Sequence, residues 1–266
     1  MCRLYGVTGG GYYAWKRRGC SKREAQDQRI VVKIRSIFEK SRETYGSPRV
    51  HQALRLQGVK VGEKRVERLM RVNGLRARSV KIYRRHPGQR RFYHNIENLK
   101  LGTLAKLPNQ VWVGDVTYLR AGGRRRFLAV VMDRCSRKVI GWSVSNKRDV
   151  NLTLKALNQA VHQRRPCPGL LFHTDRGIEY AGFAFRERIA ELGFVQSMNR
   201  PLRMNDNAHM ESFFHSFKSD QYYGKKILSE RELLKIIQSY IPFYNQERIH
   251  SGLGYLTPVQ YEKNLC

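Results

Sequence analysis

The chain of 266 residues is predicted to be a mixed α/β protein, with helices on both faces of a five-stranded sheet and a small all-α domain in front of it. Apolar residues recur at helical spacing in three short segments between positions 29 and 73. Three apolar, β-branched segments follow between 111 and 145, and beyond them helical and strand patterns alternate, as in a β-α-β crossover. The length is enough for one large domain or for two smaller domains with cores of their own.

The all-α domain is predicted from its helix start and stop signals. A first amphipathic helix covers 29–42. Ser47 as N-cap and Pro48 in the first turn begin a second helix. A third helix covers 63–73 and ends before Gly74. Three short helices joined by tight turns indicate a helix-turn-helix domain, whose third helix would lie near a DNA groove.

Basic side chains are concentrated in the third helix and in the linker that follows it at 77–108. In the helix they are Lys64, Arg65, Arg68 and Arg71, and in the linker they include Arg84 and Arg85. We expect these six residues to contact DNA phosphates. A solvated basic face on a structural helix bundle, together with a solvated linker, would explain the same residues.

The sheet and its helices are predicted segment by segment. The predicted order is strands at 111–119, 126–133 and 138–145, a helix at 150–164, a strand ending at Asp175, a helix at 182–192 and a strand at 194–198. Gly122 and Gly123 mark the first hairpin. A helical extension follows, in which Pro242 is expected to kink or end a helix. The predicted boundaries are 1–28 for a basic and aromatic N-terminal segment, 29–76 for the helix-turn-helix domain, 77–108 for the linker, 109–222 for the sheet domain and 223–266 for the extension.

The composition favours nucleic acid as the partner. The chain has 51 Lys and Arg against 21 Asp and Glu, a formal net charge of +30. Such a charge repels itself unless a polyanion neutralises it. The five cysteines include no Cys-x-x-Cys pair, which argues against a structural zinc site and for a reducing compartment. Because no apolar run is long enough for a membrane span, we expect a bacterial cytoplasmic protein associated with the nucleoid.

Three acidic residues have positions that suggest chemistry. Asp115 stands in the middle of a strand, and Asp175 follows a strand at the carboxyl edge of the sheet, where α/β proteins bind ligands. Glu211 lies in a helical pattern with Asn205 or Asp206 as its N-cap. Hard divalent cations such as Mg²⁺ bind clustered carboxylate oxygens, and two such ions can promote phosphoryl transfer. A hydrogen-bonded structural role would explain any one of the three by itself.

The segments around these carboxylates resemble the catalytic core of DDE transposases and integrases. The matching segments are Trp112 to Tyr118, His173 to Tyr180 and Asn205 to Phe213, and further matches are Tyr45 to Val50 and Tyr244 to Tyr255. The resemblance is strongest to the second-frame (OrfB) product of IS-three family insertion sequences. The 35 residues between Asp175 and Glu211 match that family's spacing. The likeness therefore extends over nearly the whole chain.

This resemblance implies a ribonuclease H-like integrase core at 109–222 and a transposase that cleaves the ends of its element and transfers them to target DNA. Asp115, Asp175 and Glu211 would be the catalytic residues and would hold Mg²⁺ or Mn²⁺, as a pair of ions. Lys218, on the helix of Glu211, and Arg248 are expected to contact DNA. An ordinary surface lysine and a capped structural corner are the alternatives for these last two.

The implied partners are double-stranded DNA, in the form of terminal repeats and target, further copies of the chain, and an upstream-frame product as partner or fusion. No membrane partner is expected. Glu179 stands where the family commonly has Gln, so it would add negative charge if it faced the site. Two other functions remain open: a non-catalytic DNA-binding regulator derived from a transposase, and a ribonuclease H-like nuclease that cuts RNA–DNA hybrids.

Overall fold

The computed structural model describes residues 6–17, 21–77, 96–102, 105–200, 207–223 and 225–265. The chain divides into two compact units, Met1–Arg78 and Ser79–Cys266. The first is entirely helical in its described part, and the second contains the sheet. No helix in the described ranges is long and apolar enough to cross a membrane.

The first unit contains four helices. They are α1 (Gly9–Arg17), α2 (Lys22–Lys40), α3 (Ser47–Leu56) and α4 (Glu63–Val72). α2 begins seven residues before the predicted start because Ser21 and Glu24 form a capping box that satisfies the first backbone N–H groups. The N-cap of α3 is Gly46, so the assignment of Ser47 to that position was wrong, although Pro48 does lie in the first turn.

The helices α2, α3 and α4 enclose the core of the first unit. Their inward side chains are fully or almost fully buried, and the set comprises Ile30, Ile34, Ile37, Phe38, Val50, Leu54, Val66, Leu69 and Met70. This arrangement confirms the predicted helix-turn-helix-like bundle. By contrast, α1 buries none of its residues, and Tyr13 and Trp15 keep more than half of their surface exposed. The aromatic side chains of α1 therefore do not dock on a core.

The second unit is built on one mixed sheet of five strands. They are β1 (Val111–Ala121), β2 (Arg124–Asp133), β3 (Val139–Ser145), β4 (Leu171–Thr174) and β5 (Val195–Met198), in the order β3-β2-β1-β4-β5. β1, β2 and β3 are antiparallel neighbours, whereas β4 pairs with β1, and β5 with β4, in parallel. This is the predicted hairpin-plus-crossover sheet, with strand bounds within two residues of those expected.

Helices cover both faces of the sheet, as predicted. One face is covered by α5 (Val150–Arg164), α6 (Ile178–Ala181) and α7 (Phe183–Glu191), which pack on residues such as Trp112 and Phe172. The other face is covered by α8 (Ala208–Phe217) and α9 (Glu230–Gln246), which pack on Val113, Leu119 and Val130. Because side chains alternate along a strand, the odd-numbered positions of β1 face α8 and α9.

The segment predicted as a C-terminal extension belongs to the core of this unit. Leu233, Ile237 and Tyr240 of α9 are completely buried against the sheet. Pro242 does not end the helix, which continues to Gln246. The last turn is retained because Asn245 accepts from the backbone N–H and donates to the carbonyl of Val139 in β3, at 2.9 Å in both cases.

The final helix, α10 (Pro258–Lys263), is joined to the sheet by a buried ionic cluster. Glu262 accepts from Ser136 Oγ at 2.8 Å, from Lys138 Nζ at 2.8 Å and from both terminal nitrogens of Arg164. Burial alone would raise the pKa of Glu262, but these three donors outweigh it and lower the pKa below its ordinary value. The negative charge of Glu262 thus helps to hold α10 in place.

Candidate functional site

Asp115 and Asp175 lie next to each other because of the parallel pairing of β1 with β4. The ladder pairs Val113 with His173 and Gly114 with Thr174, so the next position on each strand is an aspartate. Paired residues of adjacent strands point to the same face, and such strands are about 4.8 Å apart. Asp115 and Asp175 are therefore neighbours where the pairing of β1 with β4 ends.

Asp115 is on the face that α8 covers. It is opposite Val130 of β2, a core residue of that face, and it is half-buried. Its Oδ1 accepts from the backbone N–H of Val116 at 2.7 Å. Burial raises the pKa of Asp115 well above its ordinary value, and the charge of Asp175 raises it further. A strand position that would ordinarily be apolar thus holds a carboxylate whose negative charge is destabilised by its surroundings.

Asp175 begins the turn between β4 and α6. Its Oδ1 accepts from the N–H of Gly177 at 3.0 Å, which fixes the side chain at the edge of the sheet. Burial raises its pKa, and the neighbouring charge of Glu179 adds to the rise. The side chain is closely surrounded by protein, yet 36% of its surface remains accessible. A small cation therefore has access to it.

Glu179, which was expected to add negative charge if it faced the site, is buried beside it. Its side chain is 1% exposed and pairs with the guanidinium of Arg148 at 2.6 Å. The second nearest carboxylate to that guanidinium is Asp175, at 3.9 Å. The positive charge of Arg148 thus offsets part of the negative charge of Glu179, Asp175 and Asp115. Sequence reasoning missed Arg148, since a lone arginine in a turn before a helix carries no distinctive pattern.

Glu211 lies on the side of α8 that runs along β1. Asn207, one turn earlier, donates to the carbonyl of Gly114 at 3.1 Å. Lys218, two turns later, donates to Thr117 Oγ1 at 2.6 Å. These two contacts are on either side of Asp115, and residues 207, 211 and 218 share one helical stripe. Glu211 itself is exposed. The N-cap of α8 is Asn207, and the expected caps Asn205 and Asp206 lie outside the described residues.

The two aspartates fit a divalent cation by their chemistry. They present hard oxygen donors, and burial raises both pKa values, with the charge of Asp175 adding to the rise at Asp115 and the charge of Glu179 adding to it at Asp175. A bound cation would stabilise both charged forms. Within the described ranges, no three His, Cys, Asp or Glu side chains are close enough to form one metal-binding group. The structure thus brings Asp115 and Asp175 together, and the part of Glu211 in the same site stays a prediction.

Arg248 is not on a DNA-facing surface, so its predicted contact with DNA was wrong. Only 3% of the residue is exposed. Its Nε contacts Asp220 Oδ2 at 3.2 Å and its Nη2 donates to Ser216 Oγ at 3.2 Å. Asp220 also accepts from the hydroxyl of Tyr240 at 2.9 Å. A buried charge with these partners holds the end of α9 against the turn after α8.

The four basic residues of α4 fall into two pairs. Arg65 and Arg68 both contact Asp27 of α2, at 2.6 and 2.5 Å, so they join two helices of the bundle. Lys64 and Arg71 are exposed, seven positions apart on one side of α4. Arg84 and Arg85 lie outside the described residues.

The chain matches three protein families in succession. Residues 25–85 match an HTH-like domain, residues 105–203 an integrase core domain, and residues 211–265 a second integrase core domain family. Together they cover both units. The last match includes most of α8 together with α9 and α10, which agrees with the packing of α8 and α9 on the sheet.

Relatives match over almost the full length. The transposase InsF for insertion sequence IS3A of Escherichia coli is 35% identical over 100% of this chain and 94% of its own. The transposase for insertion sequence element IS904 of Lactococcus lactis is 33% identical over 91% of this chain and 97% of its own. Among solved structures, the HTLV-2 integrase catalytic core domain in complex with magnesium is 22% identical, covers 59% of this chain and 97% of that one, and has a TM-score of 0.47.

Proposed function

Because the chain belongs to the IS3 family of insertion-sequence transposases, we propose that it cleaves the ends of its element and joins them to target DNA by metal-dependent phosphoryl transfer at Asp115, Asp175 and Glu211. The observation that carries this proposal is the side-by-side placement of Asp115 and Asp175 where the parallel pairing of β1 with β4 ends. Two adjacent carboxylates whose pKa values are both raised by burial and by nearby negative charge suit a divalent cation better than a structural role.

The cofactor is Mg²⁺ or Mn²⁺, as a pair of ions. When bound, such ions supply positive charge that activates the attacking oxygen and stabilises the leaving one. Asp115 and Asp175 would each hold a metal with the oxygen that accepts no backbone bond, since Oδ1 of each is already fixed by a backbone N–H. Glu211, on the helix stripe that faces β1, would complete the ligand set from the other side.

Other side chains would bind and orient the DNA. Lys218 would contact substrate phosphate, which its bond to Thr117, on the face of Asp115, supports. In the first unit, Lys64 and Arg71 of α4 would contact the backbone of the terminal repeat, while Arg65 and Arg68 contribute mainly by fixing α4 to α2. Arg84 and Arg85 of the following segment would add phosphate contacts.

The active assembly would contain further copies of the chain and the upstream-frame product, as a partner or a fusion. Two element ends must be held together for joining, and a symmetric oligomer supplies two equivalent sites. The bacterial nucleoid is then the place of action.

The test is a strand-transfer assay with Mg²⁺ and DNA that contains the element's end, with and without the upstream-frame product. Asp115→Asn, Asp175→Asn and Glu211→Gln should each bind the end DNA and neither nick nor join it. Glu191→Gln is the matched control, because Glu191 is an exposed carboxylate whose one ion pair in the described part of the chain is with Arg188 of its own helix, and the variant should act like the wild type.

Three outcomes would contradict the proposal. Full strand transfer by any of the three variants would remove that residue from the reaction. Wild-type binding to end DNA with no cleavage in Mg²⁺ or Mn²⁺, even with the upstream-frame product, would indicate a regulator. Cleavage of RNA–DNA hybrids without preference for element ends would indicate a nuclease.

A further inference from the structure

A single arginine is anchored beside the two aspartates in a way that their proposed metal site does not require. We propose that Arg148 contacts the DNA phosphate next to the one that is cleaved, and that the buried Glu179 positions it there. This inference rests on the proposed function, since it needs DNA at Asp115 and Asp175. It assigns a substrate contact to one side chain and a positioning role to another.

The anchor, Glu179, is held rigidly. It lies in the short helix α6 with 2% of its surface exposed. The hydroxyl oxygen of Thr153 of α5 lies 3.2 Å from the backbone carbonyl oxygen of Glu179, so α5 packs directly behind the residue. Its carboxylate fits closely against Gly177, where an added Cβ would lie 2.6 Å from Oε1. Gly177 therefore leaves the space that the carboxylate occupies.

Glu179 holds one edge of the Arg148 guanidinium. Its Nε donates to Glu179 Oε1 at 2.8 Å, and its Nη2 lies 2.6 Å from the same oxygen. The guanidinium is 3.9 Å from Asp175 Oδ2, so it lies at the margin of the carboxylate pair. The side chain of Arg148 is nevertheless 43% exposed. A fixed cation with an accessible surface is suited to bind an anion.

The asymmetry of this pair indicates a function beyond stability. Removing a carboxylate from water costs free energy. A cation compensates that cost best when it is buried together with the carboxylate. Here the carboxylate is buried and the cation is not. In addition, Oε2 of Glu179 has no hydrogen-bond partner among the described residues. Such an arrangement places a positive charge at a defined point, and the planar guanidinium matches phosphate oxygens better than any other side chain.

The test measures how the affinity for DNA depends on salt. The full chain is titrated against a labelled duplex of the terminal 30 or so base pairs of its element, with Ca²⁺ replacing Mg²⁺ to retain divalent charge. The loss of one phosphate contact makes the negative slope of log K against log salt less steep by about 0.9. The loss of affinity between 50 and 200 mM salt is then about 3.5-fold smaller than for the wild type. Arg148→Gln should show this reduction.

Two controls separate a phosphate contact from a structural pair. Arg148→Lys keeps the charge and should retain the wild-type slope, although its strand transfer should be slower because the planar fork is lost. Arg188→Gln removes an arginine of similar exposure, 36% against 43%, that is paired with Glu191, and it should leave the slope unchanged. A merely structural role of Arg148 would change the melting temperature and leave the slope as it is in the wild type.

A wild-type slope for folded Arg148→Gln overturns the inference. Should that variant fail to fold because Glu179 is left unpaired, the double variant Arg148→Gln with Glu179→Gln removes both charges, and an unchanged slope there overturns it equally. Strand transfer by the wild-type chain in Mg²⁺ is measured separately. Its absence refutes the proposed function, whereas its presence with an unchanged Arg148→Gln slope refutes only the phosphate contact.

Discussion

Replacing Arg248 by methionine should destabilise the second unit without weakening DNA binding. The guanidinium is buried and contacts Asp220, Ser216 and the ring of Tyr244. In the variant the carboxylate of Asp220 keeps its bond from the hydroxyl of Tyr240 and loses its only ionic partner among the described residues. Methionine occupies a similar volume, so the change removes mainly charge and hydrogen bonds.

The expected magnitude follows from the burial of the pair, whose side chains are 4% and 6% exposed. Removing one partner of a buried ion pair costs about 3–5 kcal/mol. For a unit of this size, each kcal/mol lowers the melting temperature by about 2–4 °C, so a decrease of roughly 6–20 °C is expected. The double variant Arg248→Met with Asp220→Asn leaves no charge unpaired and should recover all but about 1–2 kcal/mol.

Thermal unfolding followed by circular dichroism, together with the salt dependence of DNA binding, checks this prediction. The single variant should melt early and keep the wild-type salt slope, and the double variant should melt near the wild type. If Arg248→Met melts like the wild type while its salt slope decreases by about 0.9, the residue is a phosphate contact after all. The reasoning from burial would then be refuted.

Three further predictions concern other parts of the chain. Lys64→Gln and Arg71→Gln should each reduce the salt slope of end-DNA binding by about 0.9 in an anisotropy titration, and wild-type slopes for both would exclude α4 from the interface. Gly141→Ala should lower the free energy of unfolding in urea by about 1–3 kcal/mol, because its Cβ would overlap the carbonyl oxygen of Ala156; unchanged stability would disprove that close approach. The pKa of Glu262 is lowered on folding, so the unfolded chain takes up a proton first as the pH falls. The stability that the charged Glu262 contributes should be present above pH 4.5 and should be lost as the pH falls below that value. The melting temperature of Glu262→Gln should therefore change less with pH in that range than the melting temperature of the wild type.

The sequence predicted the elements whose signal is local. The strands of the sheet and the helix at Val150–Arg164 were located because period-two and helical patterns are interrupted by glycine and turn residues. The early start of α2 was missed because residues 22–28 are polar and show no apolar stripe. The capping box of Ser21 and Glu24 was the signal that could have found it.

The sequence could not predict what depends on distant partners. Arg248 has the composition of a DNA contact, and only the fold brings Asp220 to it. Likewise, nothing local to Arg148 indicates that Glu179, 31 positions later, will hold it beside Asp175. The aspartate pair itself was predictable in kind, since Asp115 lies within a strand pattern and Asp175 follows one, but their adjacency depends on the pairing register of two strands far apart in the chain.

That register determines which length changes the protein can tolerate. Each paired position of β1 and β4 differs by 60 in number, from Val111 with Leu171 to Gly114 with Thr174. Residues gained or lost in the surface turns between these strands leave both carboxylates where they are. Deleting one residue between Val111 and Asp115 would instead turn that aspartate to the opposite side of the sheet, so homologues should vary in length in the turns and be invariant in length within these two short segments.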